Sequence, residues 1–301
     1  MFAPCGGPVK GGQTRPVQVA IDDPSDPRLA DYVDLPDPAA RRRLERDELF
    51  VAEGVTAIGR LLTSGHRIRS VLVTPQALAR FDGALDDLAA PVYVAPRSVL
   101  AATVGFDLHR GAVAAADRRA LPSIVELATG DAATATLGVL EGLNDPENLG
   151  AVARSARAFG VGGLVLDPAC IDPYYRRTVR VSMGEVLHLP VARATTWPGD
   201  LAVLRAAGFE TWALTPAGDA DDLWALPIPD RVAVLLGAEG PGLSTAALDA
   251  ADRRVRIPIA DGVDSLNVGH AAAVAFAHLT RRSPAPPRPG GRSHRRPPAG
   301  S

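Results

Sequence analysis

Cysteine is almost missing from this chain. Cys5 and Cys170 are the only two in 301 residues, and their placement matches no metal-ligand spacing. A disulfide framework and a metal site are therefore not expected, and a reduced, cytoplasmic setting is. Long apolar runs are also missing. The longest, 271–279, is about half the ~20 residues of a membrane span, so no membrane contact is expected. The opening MFAPCGGPVKGG lacks the apolar stretch of a secretory signal, and none is expected. There is no excess of positive charge either. Lys and Arg total 32 against 34 Asp and Glu, a net charge of −2. A chain-wide field drawing in nucleic acid is thus excluded. The charge is uneven, however: 283–301 carries four Arg and no acid (+4), which leaves −6 on the remainder. Any RNA contact must come from local patches. No internal repeat, correctly ordered G-x-G-x-x-G or G-x-S-x-G occurs, which argues against a dinucleotide fold and a nucleophile elbow.

Hydrophobic residues make up 47% of the chain, ample for a packed core, and the length fits two domains or one large domain with appendages. The Gly- and Pro-rich stretch 1–18 and the basic, Pro- and Arg-rich 283–301 are expected to be disordered tails. Block 19–121 reads as a small α/β layer. ARRRLERDELFVAEGVTAIGRLLTSG gives helix, strand and amphipathic helix; IRSVLVTP and PVYVAP are strands, and PQALARFDGALDDLAA between them reads as a helix. Residues 122–133 read as an interdomain helix or linker. In 134–282 strands and helices alternate throughout, which implies a parallel sheet covered on both faces. Asp172 is the expected N-cap of a helix over DPYYRRTVRVSMGE, with Pro173 at its first position.

Three motifs in this second block couple a strand to a turn and then to a helix. They are NDPENLGAVARSARAFG (144–160), LLGAEGPGLS (235–244) and IPIADGVDSLNVGHAAA (257–273). Strand ends of this kind build ligand sites in open α/β sheets. In the first, Asp145-Pro146 fixes a turn carrying Asn148, and Gly150 permits close approach of another backbone. Arg154 and Arg157, three residues apart, share a helix face; as a pair they read equally as solvated surface arginines. The second follows a buried strand with three glycines and one carboxylate, so its backbone can reach a ligand; an ordinary strand-to-helix turn is the plain alternative. In the third, Ser265 is the expected N-cap of an Ala-rich helix.

Together N-D-P-x-N-x-G-x-x-x-R-x-A-x-x-F-G, L-G-x-E-G-x-G-L-S and I-P-I-…-S-L-N-V resemble the SpoU (TrmH) family of RNA 2′-O-ribose methyltransferases, within the SPOUT superfamily, over about 134–282. The first block more weakly resembles the family's substrate-binding domain, itself similar to ribosomal protein L30e. The resemblance implies a trefoil-knotted α/β sheet, S-adenosylmethionine as cofactor, a structured RNA substrate (ribosomal favoured over transfer RNA) and a homodimer with active sites near the subunit interface. It places the cofactor against Leu236, Gly237, Gly242, Ile257, Ile259 and Leu266. It assigns the catalytic set to Arg154, Asn148, Glu239, Ser265 and Asn267. Arginine is effectively always protonated, so phosphate binding and oxyanion stabilisation fit Arg154 better than general-base action. After S-L-N-V the family often carries Ser or Ala and then a small or β-branched residue, where this chain has Gly269 and His270, which bears on the dimer contact.

The arginines expected to track RNA are Arg41, Arg43, Arg67 and Arg69 in the first block and Arg157, Arg177 and Arg180 in the second. Interleaved Glu45, Asp47 and Glu48 give the first group an ordinary reading as a solvated charged face. Two other functions stay open at this point: a catalytically silent RNA-binding or ribosome-assembly module on the same fold, and a nucleotide-dependent oxidoreductase on an unknotted sheet. The intact Arg154, Glu239, Ser265 and Asn267 argue against the first, and the missing glycine fingerprint argues against the second.

Overall fold

A computed structural model describes residues 18–46, 48–130 and 135–281. Apart from Gln18, both expected tails lie outside the described residues, as do residues 131–133 of the expected linker.

The N-terminal layer is a five-stranded sheet in the order β1-β4-β3-β5-β2. Its strands are β1 (Gln18–Ala20), β2 (Leu49–Glu53), β3 (Ile68–Val73), β4 (Val92–Val94) and β5 (Ala112–Asp117). Helices α1 (Pro38–Arg46), α2 (Val55–Leu62), α3 (Pro75–Ala79) and α4 (Arg97–Val104) connect them. The sheet is mixed: β5 runs antiparallel to β2 and β3, while β1, β3 and β4 are parallel. The helix expected over PQALARFDGALDDLAA is only α3. Asp82 takes a left-handed φ of 47°, which an α-helix cannot continue through, and turns bring Phe81 and Leu85 back into the core.

The second sheet is fully parallel, as the alternation predicts, in the order β10-β12-β9-β11-β6-β7-β8. A short helix, α5 (Ile124–Ala128), precedes it within the expected linker and is closed by a capping box between Ser123 and Glu126. Then follow β6 (Ala135–Glu141), α6 (Pro146–Phe159), β7 (Gly163–Leu166), α7 (Arg176–Val181), β8 (Val191–Arg193) and α8 (Leu201–Ala206). The rest comprises β9 (Glu210–Leu214), β10 (Asp221–Asp222), β11 (Arg231–Gly237), α9 (Thr245–Ala250), β12 (Arg253–Arg256) and α10 (Val268–Leu279). Strand side chains alternate between two cores. Val232, Val234 and Leu236 join one with α6 and α10, while Ala233 and Leu235 join the other with α5 and α8.

Gly160 ends α6 in the left-handed conformation, as its sequence position predicts. Two expected caps are elsewhere. Asp172 does not cap α7: its Oδ1 accepts from Tyr174 N at 2.9 Å, closing a turn, and its other oxygen pairs with Arg118 at 2.6 Å. The helix therefore starts only at Arg176, after Tyr175. Ser265 does not cap α10: Asn267 does, accepting from Gly269 N at 2.9 Å.

The two layers meet through side chains rather than through shared strands. Glu53 at the end of β2, with a side chain only 6% exposed, pairs with Arg176 at 2.5 Å and Arg180 at 3.5 Å. Phe50 stacks on Tyr174, and His66 meets both rings edge-on. The His66 imidazole bonds Ser64 Oγ at 2.9 Å and Tyr174 Oη at 3.3 Å. Burial, then the Arg119 and His188 charges, push it from 6.5 down to about 4. The unfolded chain takes up this proton first, so the contribution of this site is intact above pH 6.5 and lost as pH falls towards 4. The ring is partly exposed and therefore screened, and the loss is on the order of 1 kcal/mol. We expect wild type to lose about 2–4 °C more than His66→Phe in melting temperature between pH 7 and pH 4.5. Parallel pH profiles of the two proteins would reject this linkage.

Candidate active site

Four chain segments bound a cavity of about 580 Å³ at the carboxyl ends of β9, β11 and β12. They are Leu214–Pro216 at the end of β9, Leu236–Gly242 at the end of β11, Ile257 and Ile259 after β12, and 264–268 leading into α10. The size lies within the range of small-molecule and cofactor sites, roughly 300–1,000 Å³. All six residues expected to hold a cofactor, Leu236, Gly237, Gly242, Ile257, Ile259 and Leu266, line it, and so do Glu239, Ser265 and Asn267.

The loop after β11 owes its shape to glycine. A Cβ on Gly237 would overlap the backbone of Gly242 and Leu243, closer than the 3.0 Å that real Cβ atoms keep. The loop folds back on itself there, with Gly242 N donating to Ala238 O at 2.9 Å. Backbone of Gly240 and Gly242 thus faces the cavity without side chains. Apolar side chains of Leu236, Ile257 and Ile259 supply walls for a flat ring, and the Glu239 and Asp264 carboxylates suit a cationic ligand.

The first motif joins this site through one side chain. Asn267 Nδ2 donates to Asn148 Oδ1 at 3.0 Å and to Glu239 Oε1, while its Oδ1 caps α10. One amide therefore ties α6, the β11 loop and α10 together. Gly150 serves the expected close approach: a Cβ there would stand 2.8 Å from Val181 Cβ and 3.1 Å from Ser182 N. Gly269 faces Ala151 across the α6–α10 contact, where a Cβ would be 3.0 Å away, so this departure from the family pattern is accommodated by helix packing. Arg154 does not line the cavity. It is exposed on α6, six residues past Asn148, roughly 9 Å along the helix axis. Among the described residues it makes no hydrogen bond or ion pair.

The other arginines differ. Arg43 donates to the carbonyls of Ala30 and Val33 at 3.2 and 3.1 Å. Arg67 and Arg69 share Asp117. Arg157 stands 3.7 Å from Glu185, Arg177 pairs with Glu147 at 2.7 Å, and Arg180 reaches Glu53. Arg41 lies in α1, and its side chain lies outside the described residues. Exposed pairs such as Arg67 and Arg177 are worth ~0–1 kcal/mol and can be exchanged for phosphate. Arg180, on a buried carboxylate, is committed to the layer interface. Cys170 is buried, and that burial pushes its thiol up to about 12, so it has no reactive role.

Sequence reasoning missed Leu214–Pro216, Asp264 and Glu141. The first was findable, since any loop leaving a central parallel strand at its carboxyl end is a candidate wall. Glu141 carries no local signal, because its partners are Trp197 and Ser244.

A parallel sheet with a glycine-walled cavity beyond its strand ends defines an α/β domain with a small-ligand site at the carboxyl ends of its strands. Residues 136–277 match the SpoU rRNA Methylase family. An uncharacterized tRNA/rRNA methyltransferase of Mycobacterium tuberculosis is 45% identical over 265 residues, covering 87% of this chain and 91% of that protein. The AdoMet-bound rRNA methyltransferase of Sinorhizobium meliloti superposes with a TM-score of 0.73 at 25% identity, over 88% of this chain and 98% of that one. An RNA 2′-O ribose methyltransferase structure superposes with a TM-score of 0.70 at 28% identity, over 87% and 98%. The chain belongs to the SpoU rRNA Methylase family, and its expected cofactor is S-adenosylmethionine.

Proposed function

We propose that this protein methylates a ribose 2′-hydroxyl of structured RNA, ribosomal RNA before transfer RNA. The observation that carries the proposal is the Asn148–Asn267–Glu239 cluster at a glycine-walled cavity suited to S-adenosylmethionine. When bound, the cofactor supplies an electrophilic methyl on a sulfonium centre. The polypeptide's task is then positioning, because in-line transfer needs acceptor oxygen and methyl held close. Asn148, Ser265 and Asn267 offer neutral polar groups to a sugar, and Glu239 offers a carboxylate beside them. Arg154, permanently cationic and unengaged, supplies a phosphate contact and stabilises negative charge growing on the oxygen. The N-terminal layer, which resembles the L30e-like domain in this reading, presents further RNA contacts through Arg67 and its neighbours.

Two structural features belong to the same proposal. One is a trefoil knot in the second sheet. Its support is the strand order, with β11 inserted between β9 and β6, and the return of the chain after β12 to lay α10 on α6. The other is a homodimer, supported by the position of Arg154 outside the cavity of its own chain.

The test is incubation with radiolabelled methyl donor and total RNA, followed by mapping of the modified nucleotide. Label on a ribose 2′-oxygen, lost when that nucleotide is 2′-deoxy, is the expected result. Label on a base would overturn the assignment.

A further inference from the structure

We propose that Glu141 is a positioning residue for the cofactor: its carboxylate braces segment 237–244 in the shape that binds S-adenosylmethionine. This rests on reading the cavity as the cofactor site. Glu141 is the last residue of β6 and lies in register with Gly237 on β11, where the loop begins. It is 9% exposed. Its Oε2 accepts from Ser244 N at 2.8 Å, and its Oε1 accepts from Ser244 Oγ at 2.7 Å and Trp197 Nε1 at 2.6 Å. Ser244 is where the loop ends. Its Oγ also accepts from Ala247 N at 3.1 Å as the cap of α9, which leaves the hydroxyl proton to Glu141.

One side chain thus stands beside the start of the loop and grips its end. Between those points the loop is tied outward through Glu239, whose Oε1 accepts from Asn267 Nδ2. Gly240 and Gly242 have open space where side chains would stand, and one bridge from Ala238 to Gly242 closes the turn. Two accepting oxygens are essential to the grip, because three N–H and O–H donors converge on them. A glutamine would turn an NH2 donor towards at least one of them, and aspartate would fall a methylene short. Trp197 belongs to the segment after β8, so the same carboxylate couples a second loop to the first.

The test measures S-adenosylmethionine binding by calorimetry and kinetics with the mapped RNA. For Glu141→Gln, Kd and KM for S-adenosylmethionine should rise at least tenfold. Turnover at saturating cofactor should stay within threefold of wild type, and KM for RNA should not move. Ser244→Ala should reproduce the binding defect, and the double variant should be no worse than either single one. Trp197→Phe leaves both Ser244 contacts and should change Kd less than threefold. A Glu141→Gln protein with a lower melting temperature but wild-type Kd would reduce the residue to a structural role and overturn the proposal. If that variant does not fold, Ser244→Ala decides: a tenfold weaker Kd sustains the brace, and an unchanged Kd overturns it. Failure of the unaltered protein to bind S-adenosylmethionine would overturn the cofactor reading itself, a result distinct from failure of the brace.

Discussion

Gly237→Ala should abolish S-adenosylmethionine binding, weakening it at least 100-fold, in a protein that still folds. The added methyl would meet no flexible side-chain tip able to swing aside. It would meet the main chain of Gly242 and Leu243, so the loop itself must lift away. That loop holds Glu239, whose carboxylate accepts from Asn267, and the glycine backbone that forms one cavity wall. Displacing it dismantles the wall and the carboxylate together. Overpacking of this kind costs about 1–3 kcal/mol of stability, tolerable for a chain with extensive cores in both layers. Calorimetry with the cofactor, beside a thermal melt, checks both parts. An affinity within threefold of wild type would mean that the loop is not the binding wall.

The residues lining the cavity were legible in the sequence through the family resemblance, which three local motifs carry. A strand that ends in Gly-Ala-Glu-Gly-Pro-Gly exposes backbone wherever it is placed, and all six expected cofactor residues line one space. The Asn267–Asn148 bond joins motifs 119 residues apart, yet each asparagine has a locally defined place: Asn148 lies within the start of α6 rather than in the expected entry turn, and Asn267 caps α10. What escaped detection depends on distant partners. Arg180 reads as an arginine that tracks RNA, but Glu53, more than 120 residues earlier, holds it together with Arg176. β5, largely alanine, gave no strand signal: its side chains favour helix, and only burial between β2 and β3 makes it a strand. The expected caps Asp172 and Ser265 failed for a related reason. Each is a competent cap by type, but Arg118 engages one and the cavity wall includes the other.

Arg154→Lys should cost at least 100-fold in turnover while leaving cofactor affinity and folding unchanged. The fold makes this a clean experiment. Arg154 is exposed on α6, and no described residue binds its guanidinium. Lysine matches arginine in helix propensity, so a surface exchange here should stay within ~0.5 kcal/mol of wild-type stability. The cavity lies outside its reach as a lining residue, so S-adenosylmethionine binding has no reason to change. What lysine cannot replace is the planar fork that grips a phosphate through two parallel bonds and keeps its geometry while charge builds on an adjacent oxygen. The same exchange at Arg177, whose present partner is the exposed Glu147, should cost far less, since a point charge serves there equally well. Single-turnover rates and calorimetry on the two variants separate the roles. Near-normal turnover in Arg154→Lys would remove this arginine from the chemistry and leave Glu239, Asn148 and Asn267 as the groups that must orient the sugar unaided.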